Sequence, residues 1–356
     1  MIPASELDLR DFLESTEQPV DLAMPASLGE ICQGIHRGRE QLASYAVDIY
    51  NRMILCPGRL ADLPGVDEAG AAADRPQKPV PMRNAGAAGD PPRLHYYQLL
   101  PSAGPGRKLR AAAGPLPAKL KKLYRQHLTL RGSAGLPGRF SILHICRIPL
   151  SRGMGSSTAD LALMSAGLAA LSGRRFYPGE LARRLTAVEP TDSVIFPEIT
   201  IFEQNRATGW QRLGMLEDEL RVLALGLHGS VNTLAGRRGR KTPPEIDRAF
   251  WLLHSALKDK KAELLGRAAL VSAESWQDRL DYPGLADLIE LALKCGSLGV
   301  NIAHSGRFAG VIFRPGELNR EKFWQDLGRR GLTACYSFKA EYSIVPGGIR
   351  DLTGKS

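Results

Sequence analysis

The chain has 356 residues, 44% hydrophobic and 24% charged, with 47 Lys and Arg against 37 Asp and Glu for a formal charge of +10. That excludes a disordered or fibrous chain and is ample for one large or two ordinary domains around a buried core. The longest apolar stretch, Leu161–Leu171, is too short to span a bilayer, and five scattered cysteines without a CxxC pair exclude a disulfide frame or zinc site. The N-terminus is acidic and carries no signal-peptide pattern, so the expected setting is a reducing cytoplasm.

Residues 1–23 read as a leader. Met24-Pro25-Ala26-Ser27-Leu28-Gly29-Glu30-Ile31-Cys32-Gln33-Gly34 follows, with glycine turn signals on both sides of Glu30. From Gln41 to Leu55, the residues Tyr45, Val47, Ile49, Met53 and Leu55 alternate as in a strand. Cys56–Arg93 is rich in Pro, Gly and Ala and can bury little. Residues 101–140 then hold nine basic residues and no acidic one: Arg107, Lys108, Arg110, Lys119, Lys121, Lys122, Arg125, Arg131 and Arg139. Among them Pro117–Leu130 is expected to form a basic helix, with Leu120, Leu123, Tyr124, Leu128 and Leu130 facing inward. The whole of 57–139 reads as an insertion.

Phe140–Ile145 alternates as a half-buried strand, and Leu161, Met164, Leu168 and Leu171 recur at helical spacing. Between them lies Ile148–Ala159, reading I-P-L-S-R-G-M-G-S-S-T-A. A glycine-rich turn feeding a helix leaves several backbone N–H groups unpaired and aimed at one point, which suits a phosphate. Gly153 and Gly155 let the main chain approach an anion, while Ser156, Ser157 and Thr158 offer hydroxyls to phosphate oxygens or hydrated Mg²⁺. Asp160 is expected in the first helical turn, where the dipole favours a negative charge. A plain strand-to-helix connector is the alternative. Tyr177–Val188 reads as a second helix, ended by Glu189-Pro190-Thr191-Asp192-Ser193 because proline cannot continue it. Two carboxylates so close can share work, one holding Mg²⁺ and the other taking a proton from an alcohol. The bare pattern equally suits a capped turn.

Arg221–Leu225 reads as a buried strand, with a domain change just before it, and Ile246–Leu257, Lys261–Glu274 and Leu285–Cys295 as amphipathic helices. Gly299–Gly306 and Ala309–Phe313 then form a strand, a Ser-Gly turn and a second strand, with His304 at the turn.

Together these segments resemble the GHMP kinases, named for galacto-, homoserine, mevalonate and phosphomevalonate kinases. Their phosphate loop corresponds to Pro149 through Gly153-Met154-Gly155-Ser156-Ser157 to Ala159; Thr158 departs, since most members carry Ala or Gly there. Three segments are similar to the L-threonine kinases of cobalamin biosynthesis within that superfamily. They are Ser27-x-Gly29-Glu30-x-x-Gln33-Gly34, Glu189-Pro190-Thr191-Asp192-Ser193 with Phe196, Thr200, Phe202 and Asn205 after it, and Asn301-x-Ala303-His304-Ser305-Gly306. Pro346-Gly347-Gly348 matches the closing Gly-Gly turn. Mevalonate kinases place a Lys a few residues before the motif Glu, where this chain has only Ser27. The resemblance covers about residues 24–56 and 140–350.

The resemblance implies an α/β (α+β) fold of two domains: residues 24–218 like domain 2 of ribosomal protein S5 and binding ATP, and residues 219–356 ferredoxin-like. It implies ATP and Mg²⁺, with phosphate bound by Pro149, Gly153, Met154, Gly155, Ser156, Ser157 and Thr158. Ser157 and Glu189 would hold the metal, and Asp192 would be the base, although homoserine kinases manage without one. Glu30, Asp192, His304, Ser305 and Gly306 would meet the substrate. The implied reaction moves the γ-phosphate of ATP to the hydroxyl of L-threonine, with homoserine or another small hydroxylated metabolite as the alternative acceptor. A rival of another class is nucleic-acid binding through residues 101–140. Against it, only Tyr124 interrupts the basic residues and no base-reading motif is present.

Overall fold

A short strand, β1 (Ser5–Leu7), precedes two long ones, β2 (Val20–His36) and β3 (Arg39–Pro57), which form the hairpin on which the other elements are hung. The structure, a computed structural model, describes residues 5–7, 19–58, 92–101, 109–132, 135–150, 153–228, 242–277, 282–303 and 308–353. β2 begins at Val20, so the expected leader is too long by the residues from Val20 to Ala23. Asp21, buried there, receives a two-pronged ion pair from Arg52 on β3.

After β3 come β4 (Arg93–Pro101), β5 (Leu109–Ala113), α1 (Ala118–Arg131) and β6 (Arg139–Ile145). β4 runs parallel to β6, β5 pairs with β4 and β1, and β6 pairs with the outer end of β3. This corrects the reading of 57–139 as an insertion. β4 extends the sheet, and α1 buries Leu120, Leu123, Tyr124 and Leu128, Tyr124 meeting the Phe140 ring edge-on at 6.1 Å. Leu130, expected inside, is exposed. Residues 59–91 lie outside the described chain.

The apolar α2 (Ser156–Leu171) packs on the β2–β3 hairpin, and a helix apolar all round belongs inside a core. Next come α3 (Pro178–Thr186) and the strands β7 (Ile199–Glu203), β8 (Trp210–Gly214) and β9 (Arg221–Leu227). The helices α4 (Ile246–Lys258), α5 (Ala262–Trp276) and α6 (Leu285–Lys294) follow. The chain then forms β10 (Gly299–Ile302), β11 (Phe308–Phe313), α7 (Arg320–Arg329), β12 (Tyr336–Val345) and β13 (Arg350–Asp351). β12, β9, β11 and β10 form an antiparallel run whose ends join β3 and β2. The mixed α/β architecture is as expected. β7, β8, β12 and α7 were not anticipated.

The β2–β3 ladder slips at Pro25/Ala26, between Ser27 and Glu30, and again before Cys32. The turn expected around Gly29 and Glu30 is therefore a bulge inside a strand, a feature that re-aims side chains. Gly29 sits at φ +68°, and a Cβ there would meet Ala303 N and Asn301 Nδ2, both at 2.9 Å. Asn301 fixes the bulge by donating to Leu28 O at 2.6 Å and accepting from Tyr45 Oη at 2.6 Å.

Candidate active site

The loop between β6 and α2 is held at both stems. Asn51 Oδ1, on β3, accepts from the backbone N–H of Arg147 and of Ile148, each at 2.9 Å. Its Nδ2 donates to Asp160 Oδ1 at 2.6 Å, and His144 Nε2 meets the same oxygen at 2.9 Å. Tyr96 Oη, from β4, reaches His144 Nδ1 at 2.8 Å. Burial opposes charge on His144, but the bond to Asp160 and the adjacent Cys146 thiol outweigh it and raise its pKa from 6.5 to about 9. Asp160 falls beyond the first turn of α2 and works chiefly as the partner of this imidazolium, a correction to the dipole expectation.

Gly153 and Gly155 take φ of +80° and +67°, which glycine adopts without strain, and α2 opens at Ser156 directly after them. Ser151 and Arg152 lie outside the described residues. The loop rests on β2: Ser27 N donates to Met154 O at 3.2 Å, and a Cβ on Gly155 would lie 2.7 Å from Ser27 Oγ. The first motif and the phosphate loop are thus in direct contact.

The two carboxylates meet α2 at different points. Glu189, just past α3, accepts from Ser157 Oγ and pairs with the ammonium of Lys119, which also donates to Ser157 Oγ at 2.9 Å. Asp192 lies on the other side, its Oδ2 accepting from Ser27 Oγ at 2.8 Å and its Oδ1 from Val194 N at 3.3 Å. Its own N–H donates to Thr158 Oγ1 at 3.3 Å, which gives the departure at Thr158 a purpose. That hydroxyl is buried and accepts this bond, which leaves its own O–H as the donor it could offer. Burial, and next the charge of the nearby buried Glu30, push the Asp192 carboxyl up to about 6 against the pull of its hydrogen bonds.

The segment after Asp192 is pinned from two directions. Ser44 N, on β3, donates to Ser193 Oγ at 2.9 Å. From the C-terminal Gly-Gly turn, Gly347 N donates to Pro197 O at 2.9 Å and Gly348 N to Val194 O at 2.7 Å. A side chain on Gly347 would lie 2.4 Å from Phe196 O, so only glycine fits. Ile302 pairs with Glu30 and the described chain stops at Ala303; the expected substrate residues His304, Ser305 and Gly306 lie outside it.

Chemically, the arrangement joins the start of α2, which has no side-chain cap among the described residues, a carboxylate and hydroxyl pair on Ser157, and a separate, partly buried carboxylate raised to about 6. The Ser157–Glu189 pair already accommodates a cation, the Lys119 ammonium, so its oxygen donors fit a hard divalent ion. The sequence reading missed Lys119 at this site, because it is one of nine basic residues in a run, and Asn51, a lone polar residue in a strand.

Residues 118–196 match the family model of the GHMP kinases N terminal domain, beginning at the start of α1. An L-threonine kinase of Salmonella typhimurium is 28% identical over 212 residues, covering 57% of this chain and 69% of that protein. A homoserine kinase of Sulfurovum sp. is 25% identical over 286 residues, covering 71% of this chain and 86% of that protein. In fold, the chain is similar to the crystal structure of homoserine kinase from Cytophaga hutchinsonii, with a TM-score of 0.62 and 16% identity over 94% of this chain and 98% of that one. Residues 118–196 thus match the N-terminal domain of the GHMP kinases, and the chain around them is similar in sequence to L-threonine kinases and in fold to a homoserine kinase.

Proposed function

We propose that this protein is an ATP-dependent kinase that phosphorylates the side-chain hydroxyl of L-threonine, giving O-phospho-L-threonine for cobalamin biosynthesis. The observation that carries the kinase reading is the division of labour around α2, with Glu189 on Ser157 and Asp192 on Ser27 beside Glu30. The choice of L-threonine leans on the relative from Salmonella typhimurium and on the shared segments around Glu30 and Asp192. Homoserine is the second reading, favoured by the relative from Sulfurovum sp..

In this reading the α2 amides from Ser156 onward and the backbone of Gly153 to Gly155 hold the triphosphate. Ser157 and Glu189 would hold Mg²⁺, whose charge would neutralise phosphate oxygens. Asp192, positioned by Ser27 and Thr158, takes the proton of the substrate hydroxyl. The hydroxyl oxygen bonds to the γ-phosphorus, the bridging P–O bond breaks, and ADP leaves with the electron pair. A carboxyl raised to about 6 is deprotonated at neutral pH yet more basic than an ordinary aspartate, which suits that role. Glu30, and His304 to Gly306 after β10, are assigned to the amino-acid end of the substrate; Ile302 beside Glu30 supports this.

We further read residues 24–218 as the ATP-binding domain and 219–356 as the second domain, in the cytoplasm, to which the five unpaired thiols are suited. Among the described residues no helix is long and apolar enough to cross a membrane. Two cations of the basic segment are tied to the chain itself, Lys119 to Glu189 and Lys122 to Val188 O at 3.0 Å, which favours a small-molecule site over a nucleic-acid face. An assay over hydroxyl amino acids with ATP and Mg²⁺ tests the reading; a product from homoserine but not threonine would select the second one.

A further inference from the structure

A lysine in the first turn of a helix is opposed by the helix dipole. Lys119 occupies that turn of α1, which has no acidic residue there to offset it, and its side chain is half exposed. The ammonium nonetheless turns to one point, pairing with Glu189 and donating to Ser157 Oγ at 2.9 Å. Ser157 itself donates to Glu189, so ammonium, hydroxyl and carboxylate share one small volume. The last two are the groups assigned to Mg²⁺, so the inference rests on the kinase reading. A divalent cation cannot join the same carboxylate while the ammonium stays without strong repulsion.

We propose that Lys119 is a positioning residue that occupies the cation's place in the nucleotide-free site, is displaced from Glu189 when the metal arrives, and then moves to the triphosphate. The displacement is mechanically easy, because a lysine is a compact charge on a flexible four-carbon stem. Its new partner is close at hand, since Ser157 is in the first turn of α2, where the triphosphate is assigned. The arrangement has a consequence for order of binding. With Glu189 already neutralised, free metal is held weakly. Metal arriving with a polyphosphate is held better, because the phosphates receive the displaced ammonium.

The test is Mn²⁺ binding to the full chain without nucleotide, followed by electron paramagnetic resonance, beside calorimetry of ATP in the absence of metal. Lys119→Met should bind Mn²⁺ at least about tenfold more tightly than the parent, for it removes a half-exposed ammonium from a carboxylate that is itself largely covered. It should bind metal-free ATP about tenfold more weakly. Lys119→Arg keeps the charge and should bind Mn²⁺ as the parent does. On a Glu189→Gln background, Lys119→Met should bring no gain, the coupling expected of direct competitors. Lys119→Gln is read in the same way should the Met variant melt early. Mn²⁺ affinity within about twofold of the parent in the neutral variants would overturn the proposal. If the parent protein binds no ATP with or without metal, the kinase reading fails instead, and the Mn²⁺ comparison still decides whether Lys119 and a cation compete for Glu189.

Discussion

At the residue scale, the two carboxylates read from the Glu-Pro-x-Asp pattern have separate surroundings, and so their variants should fail differently. Asp192→Asn keeps its shape but accepts no proton; turnover should fall ~10²–10⁴-fold, and added metal should not restore it. Glu189→Gln removes a hard anionic donor, and excess Mg²⁺ or Mn²⁺ should recover part of the activity. Steady-state kinetics across a metal series checks both. Because the Asp192 carboxyl is raised to about 6, it becomes protonated as pH falls through that value, so kcat/KM of the parent should drop along an acid limb near pH 6. Asp192→Asn should lose that limb; an unchanged limb would assign it to another group. That two acids lie together just past a helix was legible in the sequence, while the roles proposed for them rest on the resemblance. Ser27 and Thr158, which position Asp192, were not legible, since a bond from residue 27 to residue 192 leaves no local pattern in a sequence. Gly155 shows the same limit: it was read for its approach to phosphate, yet it is equally required by the Ser27 hydroxyl at 2.7 Å.

At the scale of elements, strands with clean alternation and helices with apolar stripes were legible, and the bulged β2 was not. Glycines inside a strand and glycines in a turn carry the same signal. The helix α1 and four of its inward residues were legible from their spacing, whereas β4 and β5 were not, and so the whole of 57–139 read as an insertion. A deletion of residues 59–91 should leave the protein folded, since loop length costs little. Extending it through Arg131 should unfold the chain, and Leu123→Ala in α1 alone should cost about 2–5 kcal/mol in denaturant titration. The stems of the phosphate loop give a pH test. His144 rises from 6.5 to about 9, so the stability it adds is fully present below about pH 6.5 and is lost as pH climbs through 9. The difference in melting temperature between the parent and His144→Gln should therefore shrink from pH 6 to pH 9.5. A difference constant over that range would mean that His144 is neutral when folded.

At the scale of the whole molecule, the hairpin of β2 and β3 joins strands from both ends of the chain. The first motif, the phosphate loop and the acidic turn therefore converge on one end of α2 although they are far apart in sequence. Their order along the chain made the resemblance to the GHMP kinases legible. The acceptor was not, because no pattern of residue types in the sequence selects one small hydroxyl compound over another. Phosphorus NMR of the protein incubated with ATP, Mg²⁺ and, in turn, L-threonine, L-serine and homoserine tests the central claim most directly. The expected result is a phosphomonoester resonance of O-phospho-L-threonine that grows with ADP and is lost in Asp192→Asn. No phosphorylated amino acid, with ADP forming no faster than without an acceptor, would contradict it.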